Sequence, residues 1–334
     1  MTLRGDDELA DELRAILAAE GPSAPVVFDA DPVRLQGGLS ADLFTFRLRS
    51  GPPDLVGLDL VLRVAPPSAC PMGECVIQRT LADLGFSVPN VYRVGTSNHD
   101  ETYMVMQRVA GQPLFEALGP RRAFAAAPVQ LAALMYELHA IDPTPVRDAL
   151  TRSGCEEQLD GTVRALREVE PWCEHLEQRG TGLRRWLDDH LPIGRPQVVC
   201  HSDLHALNVL VDGDRRSLID WEMATLAPPE FDLARTKVLF RSIPMPLPAG
   251  TRPILSRMGR TSASAFERAY AQHRAVSTDD LVWFEVLHAA RMLALISAGP
   301  SATSESSRSV AEAWAPARRS LVAQIRGATG LALV

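Results

Sequence analysis

Hydrophobic and polar positions alternate along the first third of the chain as they do in β-strands. The stretch VRLQGGLSADLFTFRL (residues 33–48) breaks at Gly37 and Gly38 and then alternates up to Leu48. Three further apolar runs have the length of strands, namely LDLVLRVAP (58–66), VPNVYRVG (88–95) and TYMVMQRV (102–109). Successive side chains of a strand point to opposite faces, so these runs predict an antiparallel sheet.

Helical spacing of apolar positions is predicted for residues 72–84 and for most of the chain after GQP at 111–113. The later helical segments are APVQLAALMYELHAID (127–142), 156–180, 181–190, 262–275, 279–298 and 309–326. A short amphipathic helix is predicted near the N-terminus, with Leu9, Leu13, Ile16 and Leu17 on one face.

Residues 198–222 are the exception in the helical part. VVC and NVLV are short apolar runs, DGDRR is typical of a hairpin turn, and SLID is the returning strand. The order of elements predicts an α+β fold with a small β-rich N-terminal lobe (1–108) and a larger, mainly helical C-terminal lobe (109–334). We expect the hinge at about 106–113 and a ligand cleft between the lobes.

Composition indicates a soluble globular protein. The 334 residues are 46% hydrophobic and 22% charged. A net charge of −7 argues against nucleic-acid partners and against binding to anionic membranes. No signal peptide and no apolar run of membrane-spanning length are recognised. The five cysteines form no CxxC pair, which favours a reducing compartment. We therefore expect a cytoplasmic protein.

The segment HSDLHALN (201–208) carries the candidate chemistry. His201, Asp203 and His205 alternate as ligands of a zinc hydrolase could, but the other histidines are scattered singly, whereas zinc sites have recognisable ligand spacings. A polar turn whose side chains cap their own backbone is a further alternative.

The wider string favours a different chemistry. Asp203, Asn208 and Asp220 are separated by an apolar strand, a turn and a returning strand, so a hairpin brings the three side chains together. Oxygen ligands from Asn208 and Asp220 suit Mg²⁺, and Asp203 is left to orient a hydroxyl nucleophile. This set of groups is typical of phosphoryl transfer.

HSDLHALNVLVDGDRRSLIDWEMA resembles the catalytic and metal-binding loops of the aminoglycoside phosphotransferase-like kinases, the small-molecule branch of the protein-kinase-like fold. Their usual pattern is close to HGDLHPGNVLV followed by IDWE or IDFE. The likeness extends over about residues 33–240, through GGLSADLFTF, LVLRVAPP, ECVIQRTLADLGFSVPNVYRVG, YMVMQRVAG, LAALMYELHAID and FDLARTKV.

The resemblance implies roles for particular residues. Asp203 would accept or orient the hydroxyl proton, and Asn208 and Asp220 would hold Mg²⁺. ATP or GTP would be bound by a group of residues in or near the first lobe, namely Arg63, Glu74, Ser40, Gln107 and Val109. Within this group, Glu74 would pair with Arg63 and fix the orientation of its guanidinium. Asp232 would anchor the catalytic loop from a helix, His201 and His205 would brace that loop, and Glu222 could support the metal site or a substrate cation.

Three departures from the family pattern stand out. Arg63 occupies the strand position where protein kinases have lysine, and Lys237 is the only lysine in the chain. Ser202 stands where glycine is usual, and Ala206–Leu207 replace Pro-Gly. The last two changes alter the backbone freedom of the loop and leave its chemical groups in place.

The expected activity is O-phosphorylation of a small hydroxyl-bearing molecule, and an antibiotic such as an aminoglycoside or macrolide, with a role in resistance, is one candidate. Acidic residues between 151 and 180 could face a cationic substrate, although a solvated helix face with interleaved arginines is the favoured interpretation. The alternatives are a non-catalytic nucleotide-binding scaffold and a metal-dependent hydrolase using HSDLH. The protein would act as a monomer or homodimer.

Overall fold

The structure is a computed structural model that describes most of the chain. The described residues are 13–17, 25–35, 41–65, 72–96, 101–178, 180–242, 252–299 and 305–333. The predicted turn at Gly37 and Gly38 and the Leu9 position of the N-terminal helix lie outside them.

Strands of the first third form one antiparallel sheet, as predicted. They are β1 (Val27–Phe28), β2 (Val33–Arg34), β3 (Asp42–Ser50), β4 (Asp59–Ala65), β5 (Val91–Thr96) and β6 (Thr102–Gln107). The order across the sheet is β1-β3-β4-β6-β5, with β2 paired to β3. Phe44 and Val105 are buried in one cluster with Leu13 from α1, the helical residues 13–17. A helix therefore covers one face of the sheet.

The helix α2 (Met72–Asp83) connects this sheet to the helical part. Its Ile77 belongs to the same hydrophobic cluster as the C-terminal helices. The start of α2 lies so close to that part that a Cβ on Gly73 would be 2.3 Å from the side chain of Gln158. Contacts on both sides hold α2 in place, and they set the position of the neighbouring Glu74.

The rest of the described chain is mainly helical. Its α-helices are α3 (Leu114–Leu118), α4 (Pro120–His139), α5 (Thr144–Arg152), α6 (Gly161–Glu177), α7 (Leu183–Asp189), α8 (Pro229–Arg241), α9 (Arg252–Ala271), α10 (Thr278–Ala298), α11 (Glu305–Trp314) and α12 (Arg318–Thr329). The long helix α10 packs on α6, α8 and α12, while α9 packs on α4 and α8. The predicted α+β architecture is confirmed. The division into lobes 1–108 and 109–334, with a hinge at about 106–113, stays a prediction.

Five short strands lie within the helical part. They are β7 (Gln112–Pro113), β8 (Val198–Cys200), β9 (Val209–Asp212), β10 (Arg215–Leu218) and β11 (Thr225–Ala227). The predicted hairpin is β9–β10, and β8 pairs with β11. The segment GQP is more than a break, because β7 pairs with β9. Gly111 has a φ of 114°, and a Cβ there would lie 2.6 Å from the Val211 carbonyl oxygen, so this pairing requires glycine.

The segment predicted as helical at 309–326 is helical, but it is not one continuous helix. The segment 309–326 is α11 and α12 separated by a 3-10 turn, Ala315–Ala317, because Pro316 cannot continue an α-helix. The expectation that no apolar run has membrane-spanning length was wrong by length and composition, because α10 has a mean hydropathy of 1.5 over 18 residues. However, 61% of that window is buried against other helices, as in the core helix of a globular domain.

The only lysine of the chain lies inside the helical part. Lys237 on α8 has a side chain that is 5% exposed, and its Nζ is 2.6 Å from Oε2 of Glu267 and also contacts Glu285. Two carboxylates therefore compensate a buried ammonium group, as burial of a charge requires.

Candidate active site

The segment 201–208 is a loop between β8 and β9 that a buried aspartate on α8 holds in place. Asp232 accepts hydrogen bonds from the backbone N–H groups of His201, at 2.8 Å, and Ser202, at 2.9 Å. The anchoring role predicted for Asp232 is thereby confirmed.

A second set of contacts fixes Asp232 itself. His139 Nε2 lies 3.3 Å from Asp232 Oδ2, and His139 Nδ1 lies 2.7 Å from the hydroxyl of Tyr270. These side chains are deeply buried. The loop therefore rests on a chain of hydrogen bonds that reaches from α8 through α4 to α9.

His201 braces the loop from within. Its Nε2 lies 3.0 Å from the carbonyl oxygen of Ile219, its Nδ1 accepts a 3.3 Å hydrogen bond from the Asp203 N–H, and its ring packs edge-on against Trp221. Burial lowers the pKa of His201, so the ring is neutral at physiological pH.

The zinc arrangement considered for His201, Asp203 and His205 is not supported, because both ring nitrogens of His201 are occupied. Within the described ranges, the one group that could place three metal ligands together is His139, Cys200 and Asp232. All three are buried, and His139 and Asp232 are already hydrogen-bonded, which marks this group as structural.

Ser202 has a strained backbone. Its φ is 66°, in the left-handed region, and its buried Oγ has no hydrogen-bond partner among the described residues. The glycine expected here by family resemblance would relieve both defects, at the expense of greater freedom in the unfolded chain.

We expect Ser202→Gly to raise the free energy of unfolding by about 1 kcal/mol, measured by urea denaturation. Ser217→Gly is the control, because Ser217 is buried on β10 and its hydroxyl lies 2.8 Å from that of Ser87. That control is expected to lose stability. A Ser202→Gly protein less stable than wild type would show that the serine is not strained.

Asp203 has one carboxylate oxygen engaged and one more open. Oδ1 accepts a 2.8 Å hydrogen bond from Arg235 Nη2, whereas Oδ2 lies 3.5 Å from His205 Nε2. Burial alone would raise the pKa of Asp203, but Arg235 and then His205 outweigh burial and hold the pKa well below its usual range. The side chain is 22% exposed. Oδ2, with only the long contact to His205, is therefore the less firmly held of the two oxygens.

Asn208 is tied to the same loop. Its Nδ2 donates to the Asp203 carbonyl oxygen at 3.0 Å, which leaves the carboxamide oxygen for another partner. The Ile219 N–H donates to the Asn208 carbonyl oxygen at 2.9 Å. Because Ile219 also contacts His201, the residue before Asp220 is bound to the loop on two sides.

Asp220 follows in a left-handed conformation, with a φ of 67°. Surrounding protein atoms, then the carboxylates of Glu222 and Asp203, raise the pKa of Asp220 to about 6, although the residue remains open to solvent. A divalent cation would relieve this crowding of negative charge. The carboxylate of Asp220 and the carboxamide oxygen of Asn208 are hard ligands of the kind that Mg²⁺ prefers.

Arg63 on β4 forms two buried ion pairs. Nη1 is 2.5 Å from Glu74 Oε2 on α2, and Nη2 is 2.5 Å from Glu222 Oε2. Burial opposes the charge, but Glu74, Glu222 and Asp220 outweigh burial and raise the pKa of Arg63. The pairing predicted for Arg63 and Glu74 is thereby present, and Glu222 proves to be a second partner.

Burial, only partly offset by Arg63, raises the pKa of Glu74 to about 7 from an ordinary 4.5. A raised carboxyl pKa means that the folded state binds the proton more tightly, so stability falls as pH rises from about 4.5 to 7 and is then constant. We expect this group to account for up to about 3 kcal/mol of that fall. Thermal unfolding of the ligand-free protein from pH 5 to 8 measures it. A Glu74→Gln protein with the same pH profile as wild type would refute the assignment.

The nucleotide residues predicted at the hinge lie at the end of β6 and just beyond. Gln107 Oε1 accepts a 3.0 Å hydrogen bond from Asn90 Nδ2, and the Gln107 N–H donates to the Asn90 carbonyl oxygen at 2.8 Å. Val109 is half-buried. Ser40 lies outside the described residues.

Arg235 is the site residue that sequence reasoning missed. It lies on α8, three positions after Asp232, within the string FDLARTKV. One helical turn separates the two residues, so both can face the catalytic loop. This three-residue spacing from Asp232 was the feature of the sequence that could have identified Arg235 as a site residue.

This architecture, a β-rich first part followed by a mainly helical part, is that of the phosphotransferases of the protein-kinase-like class. The family model described as "Phosphotransferase enzyme family" matches residues 31–276. The chain belongs to this family.

Solved structures agree on the fold. A candidate aminoglycoside phosphotransferase from Ralstonia eutropha JMP134 is 18% identical, with 97% of this chain and 99% of that chain covered and a TM-score of 0.62. Aminoglycoside-3′-phosphotransferase of type VIII is 25% identical over 83% and 97% of the two chains, with a TM-score of 0.54. A thermostable mutant of APH(4)-Ia, in ternary complex with AMP-PNP and hygromycin B, is 20% identical over 96% and 100%, with a TM-score of 0.56. A search of curated proteins gave no match.

Proposed function

We propose that the protein transfers the γ-phosphoryl group of ATP or GTP to a hydroxyl of a small molecule. One observation carries the proposal. Asp203 is held through Oδ1 by Arg235, while Oδ2 has only a 3.5 Å contact with His205, and both oxygens lie beside the candidate metal ligands Asn208 and Asp220. Structures of similar proteins with AMP-PNP and hygromycin B, or with ADP and spectinomycin, support nucleotide and small-molecule binding.

Asp203 orients the acceptor. The hydroxyl donates its hydrogen bond to Oδ2, which aims the hydroxyl oxygen at the γ-phosphorus. As the new P–O bond forms, the bond to the β–γ bridging oxygen breaks, ADP leaves, and the hydroxyl proton passes to Asp203. A carboxylate with a low pKa is a weak base, so the proton leaves late, as a loose transition state allows.

The remaining groups position the nucleotide. Asn208 and Asp220 would hold Mg²⁺, which when bound neutralises phosphate charge. Arg63 has its guanidinium fork fixed by Glu74 and Glu222, and it contacts the α and β phosphates in place of the usual lysine. Gln107 and Val109 would lie beside the base, and Ser40, which lies outside the described residues, is expected from the family resemblance to contact a phosphate.

A turnover screen with ATP and Mg²⁺ tests the proposal. It measures ADP release and product mass with aminoglycosides, macrolides and other antibiotics, amino alcohols, sugars and hydroxy acids. A phosphorylated product supports phosphotransfer. Tight nucleotide binding without turnover of any acceptor would favour the scaffold alternative, and loss of a phosphate from substrate without ATP would favour a hydrolase.

Arg63→Ala is expected to raise the KM for ATP by about tenfold or more while changing the acceptor KM less, because a charge-assisted contact to phosphate is lost. Steady-state kinetics with each substrate varied in turn measures both constants. Arg63→Lys keeps the positive charge but lacks the planar guanidinium. Its KM for ATP is expected to lie between those of wild type and Arg63→Ala. An unchanged ATP KM in Arg63→Ala would remove Arg63 from the nucleotide site.

We place the enzyme in the cytoplasm. Within the described ranges four cysteines are free and buried, namely Cys75, Cys155, Cys173 and Cys200. Free cysteines are typical of a reducing compartment.

A further inference from the structure

Three arginines from three helices lie along the helical side of the catalytic aspartate. Arg235 on α8 donates to Asp203, Arg291 on α10 is 2.5 Å from Glu168 Oε2 through Nη2, and Arg164 on α6 is 3.3 Å from Glu168 Oε1 through Nε. We call Arg164, Arg235 and Arg291 the arginine cluster.

A histidine without charge contacts one member of the cluster and lies within electrostatic reach of a second. His288 Nε2 lies 2.9 Å from the Phe231 carbonyl oxygen, and His288 Nδ1 lies 3.3 Å from Arg291 Nη1. Burial, then Arg291 and Arg235, lowers the pKa of His288 well below its ordinary value. His288 therefore adds no charge, and it confirms that both arginines lie within electrostatic reach of one another.

The charges of the cluster do not balance locally. Asp203 stays paired with Arg235 through Oδ1 while the acceptor hydroxyl uses Oδ2, and Glu168 is the carboxylate shared by Arg164 and Arg291, so three guanidinium groups are matched by two carboxylates. In addition, the Nε–H of Arg235 is buried without an acceptor among the described residues. Three guanidinium groups with five N–H donors each exceed what these partners can accept.

The acidic residues of α6 do not reverse this balance. Glu170 is 2.6 Å from Arg184 on α7, and the Glu177 carboxylate accepts a hydrogen bond from the Arg184 N–H. Glu168 itself is engaged by two members of the cluster. The structure thus favours the interpretation of 151–180 as a solvated, arginine-paired helix face over an acidic wall.

We propose that the acceptor molecule carries an anionic group, a carboxylate or a phosphate, near its reactive hydroxyl, and that the arginine cluster binds this group. The inference rests on the proposed function and narrows its substrate class. Arginine suits the task because its planar fork binds oxyanions bidentately. An aminoglycoside, which is polycationic, would be repelled by the same surface.

The test compares acceptors that differ only in charge. Glycerate, glycerol and 3-amino-1,2-propanediol share one three-carbon diol, and sugar acids and sugar phosphates extend the series against neutral sugars and aminoglycosides. ADP release at saturating Mg·ATP is expected to show at least about tenfold higher kcat/KM for anionic members. Turnover confined to cationic or neutral members would overturn the anionic class while leaving phosphotransfer intact.

Arg164→Gln tests whether Arg164 binds the acceptor or only stabilises the fold. Arg164 is partly exposed, and its loss leaves the Arg291–Glu168 pair in place. We expect the acceptor KM to rise by about tenfold, with an unchanged ATP KM and unchanged thermal unfolding. Arg152→Gln, the same change at an exposed site on α5, is the matched control and should leave every constant unchanged. A fall in unfolding temperature without a change in acceptor KM would mean that Arg164 only joins α6 to α10.

A binding assay decides the case in which no acceptor in the series is turned over. Calorimetry with 3-phosphoglycerate, on protein saturated with Mg·AMP-PNP, is expected to show binding that Arg164→Gln weakens by about tenfold. No heat of binding in wild type would overturn the proposal. Failure of Mg·AMP-PNP itself to bind would instead refute the proposed phosphotransferase function.

Discussion

Asp203→Asn is expected to lower kcat by about 10²–10⁴-fold, the usual contribution of a positioned proton acceptor. The amide keeps the shape of the side chain and one acceptor oxygen for Arg235, but it cannot take the hydroxyl proton. The affinity for Mg·AMP-PNP should change little, because Asn208, Asp220 and Arg63 are untouched.

Steady-state kinetics and nucleotide calorimetry measure the two effects separately. Asp212→Asn is the matched control, since Asp212 is an exposed aspartate at the end of β9. The control should retain wild-type kcat. Near wild-type turnover by Asp203→Asn would contradict the assigned role.

Asp232→Ala should have the largest effect on stability. The substitution leaves the buried N–H groups of His201 and Ser202 without their acceptor and removes the partner of His139. An unsatisfied buried donor costs about 1–3 kcal/mol, so we expect unfolding to become easier by about 3–5 kcal/mol. Turnover should fall as well, because the same bonds position Asp203.

Urea denaturation and kcat together test this expectation. Asp232→Asn keeps one oxygen acceptor and should lose less stability than the alanine variant. Equal unfolding free energies for Asp232→Ala and wild type would show that the loop holds its conformation without α8.

Local patterns predicted much of the site because its groups lie in one continuous string. The loop 201–208 and the hairpin after it place Asp203, Asn208 and Asp220 together through short connections, so spacing alone was informative. The pairing of Arg63 with Glu74 was expected from the resemblance, and the structure contains it.

Contacts between distant segments could not be predicted in the same way. Arg235 reaches Asp203 across 32 positions, and its side chain gives no local signal of that contact. β7 is two residues long and contains Pro113, so GQP reads as a break although it pairs with β9. The division of 309–326 depends on Pro316, whose effect the apolar spacing concealed.

The burial of the single lysine has a practical consequence for chemical proteomics. Activated-ester and acyl-phosphate nucleotide probes label kinases by acylating a lysine amine near the bound phosphates. In the proposed nucleotide site Arg63 takes the place of that lysine, and a guanidinium is not acylated under such conditions. Lys237 on α8 is enclosed by Glu267 on α9 and Glu285 on α10. Amine-directed probes should therefore leave the folded enzyme's lysine unlabelled, and acylation of Lys237 would report unfolding.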